Sequence, residues 1–243
     1  MLIIFGRNPV IEALKAGRPI SRILLDKNIE RRGNVTEIIR LAQDRDVPLE
    51  YVERQIIDRQ GQGVHQGVIA HAEAKEYVNL DDLLAVARAK QEPPLYVILD
   101  GTEDPHNFGA ILRTADATGV HGVIVRSVRA VGITPAVVKA SAGAVEYVPV
   151  AQVTNIARTI ETLKRNNVWV IGIDMAGKVN YTQVDFTLPT AIVIGGEGKG
   201  LSELVSKKCD TLASIPMKGK ISSLNASVAA AVVMYETVKQ RSK

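Results

Sequence analysis

Short apolar runs alternate with amphipathic stretches along most of the chain, the pattern of strands and helices taking turns. In the first 72 residues, Asn8-Pro9 predicts a helix start carrying Val10, Ile11 and Leu14. Ile23–Leu25 predicts a buried strand. Asn34 with Glu37 three residues on predicts a capped helix, its apolar face Ile38, Ile39 and Leu41. Leu49–Val52 and Val68–Ala70 supply two further strands, with a glycine loop at Gly61-Gln62-Gly63 between them. These elements predict a small α/β domain over 1–72.

Residues 73–94 predict a connector that contains a helix capped at Asn79 and ends in the polar stretch before Pro93-Pro94. From Leu95 the βα pattern resumes: strand Tyr96–Leu99, helix Asn107–Thr118, strand Val123–Val125, strand Val145–Val150, helix Asn155–Arg165, and strands Val168–Ile173 and Ala191–Ile194. Residues 95–243 therefore predict a mostly parallel sheet covered by helices on both faces. The last helix, from about Leu224 to Lys239, is apolar on every side between Val228 and Tyr235. This predicts burial all round, either in its own core or against a partner subunit.

Composition adds exclusions. With 46% hydrophobic and 23% charged residues the chain is neither disordered nor low-complexity. Its single cysteine, Cys209, forms no internal disulfide, and four scattered histidines lack metal-site spacing, so no metal is expected. The longest apolar run has eight residues, Val228–Tyr235, too short for a membrane helix. The opening MLIIFGRNP lacks a basic segment followed by a long apolar one, so a soluble cytoplasmic protein is expected. A net charge of +4 hints only weakly at an anionic partner, and 4% aromatics argue against rows of stacking rings.

Three loops carry candidate chemistry, each placed to follow a strand where open α/β sheets bind ligands. The first runs Asp100–Arg113, with Asn107 as either a plain helix cap or a site residue and Arg113 as either a solvated or a functional cation. The second, IVIGGEGKGL over 192–201, holds four glycines in six positions and suits close approach of a ligand to the main chain. It is not a P-loop, since Leu201 follows Gly200, and it does not have the dinucleotide-binding spacing. The third, 215–227, brings Lys218, Lys220, Ser222, Ser223 and Asn225 to the mouth of the final helix.

In this order, NFGAILRTADATGV, IVIGGEGKGL and IPMKGKISSLNASVAAAVVMYE resemble the three signature motifs of the SpoU/TrmH family, RNA ribose methyltransferases of the SPOUT class. GRNPVIEAL and GVHQGV resemble the L30e-like substrate-binding domain of that family's large-subunit ribosomal RNA guanosine 2′-O-methyltransferases. The resemblance implies a deep trefoil knot in the C-terminal domain, a homodimer with a shared active site, and S-adenosylmethionine bound bent in the knot. It implies cofactor contacts at Gly195, Gly196, Ile215 and Leu224, and active-site positions at Asn107, Arg113, Glu197, Ser223 and Asn225. A guanidinium is a poor base, so Arg113 is expected to grip a phosphate and acidify the ribose hydroxyl; Arg113 as the base itself stays open. Arg7, Arg18, Arg22, Arg31 and Arg32 are expected candidates for RNA phosphate contacts. Transfer RNA as substrate, or a non-catalytic RNA-binding role in ribosome assembly, are the alternative readings.

Overall fold

The computed structural model of the 243-residue chain describes all residues except 62–63, 128–131, 197, 199 and 243, so Glu197 and part of the expected 61–63 loop lie outside the described residues. The chain forms two compact units, one of Met1–Glu76 with Gly132–Tyr147, the other of Tyr77–Val131 with Val148–Lys243.

In the first unit the order is β1 (Leu2–Phe5), α1 (Arg7–Lys15), β2 (Ile20–Asp26), α2 (Asn34–Gln43), β3 (Leu49–Val52), α3 (Arg54–Asp58) and β4 (Val68–Ala72). The sheet runs β1-β4-β2-β3, with β4 antiparallel to both neighbours and β3 parallel to β2. Strand β2 buries both faces: Leu24 packs with Phe5, Ile57 and Ile69, while Ile23 and Leu25 are fully buried on the opposite side. The two helix starts differ from expectation. Glycines, Gly6 and Gly33, occupy the cap positions of α1 and α2, and neither helix has a side-chain cap. The Asn34 amide instead donates to Asn8 Oδ1 at 2.6 Å.

The second unit begins with α4 (Leu80–Lys90), capped as expected by Asn79, whose Oδ1 accepts from the Asp82 amide at 2.8 Å. This helix buries Leu83, Leu84 and Ala87 in the same core as Tyr96, Ile98 and Leu163, so the segment read as a connector is largely core-forming. Then follow β5 (Leu95–Asp100), α5 (Pro105–Ala117) and β6 (Gly122–Arg126).

After β6 the chain returns to the first unit as α6 (Pro135–Ala140) and a 3-10 turn, Ala144–Glu146. That turn stands where the sequence predicts the start of a strand at Val145–Val150. Its entry residue, Gly143, has φ +96°, and a Cβ there would lie 2.6 Å from the Glu12 side chain. Pro149 lacks the N–H a ladder needs, and the strand starts only after it. Inside this turn Glu146 forms a buried ion pair with Arg18 at 2.5 Å, and Arg18 also donates to the Glu73 carbonyl from Nε (3.0 Å) and Nη2 (2.8 Å).

The remaining elements are β7 (Val150–Val153), α7 (Ile156–Arg165), β8 (Trp169–Ile173), β9 (Val179–Asn180), β10 (Thr190–Gly195), α8 (Glu203–Lys208), β11 (Thr211–Ser214) and α9 (Ala226–Arg241). The seven-stranded sheet has the order β7-β6-β5-β10-β8-β11-β9, and its pairings are parallel. The α/β class with helices flanking a parallel sheet is thus as expected. Helix α9 departs from all-round burial: Ala230, Val233 and Met234 are buried, whereas Val228 and Tyr235, seven residues apart on one stripe, are 47% and 55% exposed. Among the described residues no helix is long and apolar enough to cross a membrane.

Candidate active site

Because the sheet of the second unit is parallel, its C-terminal edge gathers the loops that follow β5, β8, β10 and β11. A cavity of about 270 Å³ opens at that edge, and Gly195, Gly196, Ile215, Ser223 and Leu224 all line it, joined by Asp174. Five of the nine residues singled out by sequence therefore meet in one place.

The glycines are required by sterics. A Cβ on Gly195 would sit 2.2 Å from the Gly200 carbonyl carbon, and one on Gly196 would sit 2.5 Å from the Gly101 oxygen. The loop is fastened at both ends by one residue, Asp100, at the end of β5. Its carbonyl accepts from the Gly196 amide at 3.0 Å. Its buried carboxylate accepts from the Ser202 amide (2.9 Å) and hydroxyl (2.7 Å) through Oδ2, and from Arg126 Nη2 (3.1 Å) through Oδ1. Three donations to the buried carboxylate, one of them from a guanidinium, offset its charge, and with the Gly196 bond to the carbonyl they hold the loop against the sheet.

Two site residues lie at helix starts. Asp104, not Asn107, caps α5, accepting from the His106 (3.2 Å) and Asn107 (3.1 Å) amides. Asn107 is buried in the first turn, and its Oδ1 accepts from Asn225 Nδ2 at 2.9 Å. Asn225 caps α9, its Oδ1 accepting from the Ser227 (2.9 Å) and Val228 (3.4 Å) amides. One amide thus closes α9 with its oxygen and fastens α5 with its nitrogen. The two helices run side by side in the same sense, since Thr118 Oγ1 near the end of α5 reaches Met234 Sδ at 3.7 Å.

Arg113 lies on α5 about 9 Å along the axis from Asn107. It is exposed, does not line the cavity, and makes no hydrogen bond or ion pair to a described residue. Sequence reasoning passed over Asp174, Asp100, Ser202 and Arg126. Position alone marks the first two, since Asp174 directly follows β8 and Asp100 closes β5. Cys209 is no nucleophile: burial pushes its thiol up to about 12 and its Sγ donates to the Val205 carbonyl.

Residues 94–235 match the SpoU rRNA Methylase family, and residues 3–78 match the family described as RNA 2′-O ribose methyltransferase substrate binding. YacO of Bacillus subtilis, named as a TrmH family tRNA/rRNA methyltransferase, is 47% identical over 98% of this chain and 95% of its own length. The SpoU methyltransferase AviRb from Streptomyces viridochromogenes, solved in complex with AdoMet, superposes with a TM-score of 0.83 at 30% identity, covering 98% of this chain and 89% of that one. An AdoMet-bound rRNA methyltransferase from Sinorhizobium meliloti gives a TM-score of 0.79 at 26% identity, covering 98% and 87%. Matched over more than half its length by the catalytic family and end to end by such relatives, the chain belongs to the SpoU rRNA methylase family of RNA methyltransferases.

Proposed function

We propose that this chain transfers a methyl group from S-adenosylmethionine to the 2′-hydroxyl of a guanosine in large-subunit (23S) ribosomal RNA. The observation that carries the reading is the single cavity lined by Gly195, Gly196, Ile215, Ser223 and Leu224, with the Asn107–Asn225 bond at the foot of the helix that closes it. The AdoMet held by AviRb and the rRNA substrate in the name of the S. meliloti enzyme support it.

The residues suit the cofactor. Main chain free of side chains at Gly195 and Gly196 permits close contact, Ile215 and Leu224 offer apolar surface to a flat ring, and Asp174 offers a carboxylate to a cationic or hydroxyl-bearing group. When bound, S-adenosylmethionine supplies a methyl group activated on a sulfonium sulfur. The chain's own task is to place the ribose oxygen and release its proton. Arg113, bonded through its side chain to none of the described residues, grips the neighbouring phosphate and lowers the hydroxyl's pKa, with the proton leaving to phosphate or water. Asn107 and Asn225 orient the nucleotide, and Ser223 and Glu197 brace the loops.

In the same reading, the unit of Met1–Glu76 with Gly132–Tyr147 recognises the RNA, and the unit of Tyr77–Val131 with Val148–Lys243, which takes in α4 of the expected 73–94 connector, carries catalysis. Two copies pair through the apolar stripe that α9 leaves exposed at Val228 and Tyr235. The substrate is RNA because only RNA carries the hydroxyl to be methylated.

The test is transfer of labelled methyl to separate 23S rRNA and tRNA pools, with mass mapping of the product. One 2′-O-methylguanosine in 23S rRNA is expected. Label confined to tRNA overturns the ribosomal substrate, label on a base overturns the ribose, and absence of cofactor binding by calorimetry restores the non-catalytic reading.

A further inference from the structure

Methylation of a ribose hydroxyl releases a proton, and the site residues supply no acceptor for it: a guanidinium is a poor base and side-chain amides are not basic. The most effective base titrates near the working pH, which among ordinary side chains points to imidazole. The chain has four histidines, His65, His71, His106 and His121.

Three of them are placed or engaged elsewhere. His65, 5% exposed, lies in the first unit, its Nδ1 accepting from the Gly67 amide at 2.9 Å and its Nε2 standing 2.7 Å from Asp58 Oδ1. His71 is on β4 of that unit, level with Ile3 of β1 and Arg22 of β2. His121 belongs to the second unit but to the opposite edge of its sheet. It is buried, and its Nδ1 accepts from the amide of Leu95, the first residue of β5, at 3.1 Å.

His106 is the histidine at the C-terminal edge, the second residue of α5 and next to Asn107. Its main-chain amide donates to Asp104 Oδ1 at 3.2 Å, while its exposed ring is bonded to none of the described residues. It precedes Arg113 by seven residues, close to two full turns, so the two share one stripe of α5, about 10.5 Å apart along the axis. Ala110, small and half-buried, lies between them on that stripe. Long side chains on a helix lean toward its N-terminus, which carries the Arg113 guanidinium toward the turn that holds His106. A ribose over Ala110 therefore has a cation for its phosphate on one side and a base for its hydroxyl on the other.

The described carboxylates of the same edge serve other ends. Asp100 takes three donations and Asp104 caps α5. Asp174 lines the cofactor cavity and accepts from the Ala176 (2.9 Å) and Leu201 (3.4 Å) amides. Glu103 is exposed, and a carboxylate in water is a weaker base than imidazole. His106 does not line the cofactor cavity, as suits a group that faces the hydroxyl and not the methyl donor.

We propose that the His106 imidazole is the first acceptor of the ribose proton and hands it on to water. The proposal rests on the methyl-transfer reading above and names the proton's route. The O–H bond breaks as the 2′-oxygen bonds to the transferred methyl carbon, and the proton moves to the unprotonated ring nitrogen. The pair that had bound the methyl stays on the cofactor's sulfur, which becomes neutral, and the imidazolium then gives its proton to water.

Full-length His106→Gln and His106→Ala are compared with the unsubstituted protein, on the RNA pool that it methylates, by single-turnover transfer, RNA binding, cofactor calorimetry and melting. Transfer is expected to fall about 10²–10³-fold in both variants, the usual share of a general base. RNA and cofactor Kd are expected to stay within about twofold, since a group that acts only in the transition state leaves binding alone. Imidazole added to His106→Ala is expected to restore transfer in proportion to its concentration, and substituted imidazoles, compared in their neutral forms, to rescue faster as their pKa rises. Unchanged transfer in both variants overturns the proposal while the methyl-transfer reading stands. So does rescue that is absent or indifferent to the pKa of the added base, or a loss that resides wholly in RNA Kd, either of which makes the ring a binding contact. Failure of the unsubstituted protein to methylate any RNA overturns both.

Discussion

Asn107 is ambiguous in sequence because a helix-start asparagine is as good a cap as a binding group. Its neighbour three residues earlier removes the cap reading, since Asp104 takes the cap and the Asn107 oxygen accepts from Asn225. The direction of that bond follows from α9: the Asn225 oxygen is spent on the Ser227 and Val228 amides, so only its amino group is left to donate. Arg113 stands differently, exposed and bonded through its side chain to none of the described residues. No spacing rule makes this visible, and in the sequence its function rests on resemblance alone. Arg113→Ala is expected to lower single-turnover methyl transfer by about 10²–10³-fold, the usual cost of removing one transition-state donor. Calorimetry is expected to find cofactor affinity within about twofold of the unsubstituted protein. Equal loss of both would assign Arg113 to the cofactor cavity instead.

At the scale of elements, strands β5, β6, β8 and β10 are legible because both of their faces are buried and they read as continuous apolar runs. Strand β11 and helix α8, with four and six residues and mixed polarity, leave too little pattern to register. The glycine loop is legible too, but its latch is not, because Ser202 and Asp100 lie 102 residues apart in sequence. That latch carries a consequence for binding. The Ser202 hydroxyl donates to a buried carboxylate, and such bonds contribute about 1.5 kcal/mol or more. If the energy holds the loop in its cofactor-ready form, Ser202→Ala raises the cofactor Kd about tenfold while kcat at saturation changes little, and Ser202→Thr restores affinity. A lowered melting temperature with unchanged Kd would make the hydroxyl a stability contact only.

For the molecule as a whole, the least legible feature is the excursion of Gly132–Tyr147 into the first unit. A parallel neighbour pair such as β6 and β7 needs a crossover, and the apolar run around Val145 reads equally well as a strand of the second sheet. The knot implied by the resemblance is likewise beyond any periodicity, since threading leaves no local pattern. The excursion alters how truncation behaves. Deleting residues 1–72 removes the elements that pack with α6 and the 3-10 turn, uncovering Val137, Val138 and Val145, and it strips Glu146 of Arg18. In the full chain, where Glu146 stays buried, removing its partner costs about 3–5 kcal/mol, whereas in the truncated protein the loss is of the apolar cover. The truncated protein is therefore expected to melt well below the full chain and to scatter light on concentration. Arg18→Met in the full chain separates the two causes, since it breaks the ion pair while the apolar cover stays; its melting temperature is expected to fall between those of the truncated and intact proteins. A truncated form as stable and monodisperse as the full chain would mean that 132–147 repacks on the second unit. With the loss expected, a drop in RNA binding on deleting the first 72 residues reports damage to the crossover as well as missing RNA contacts, and only point variants of the first unit distinguish them.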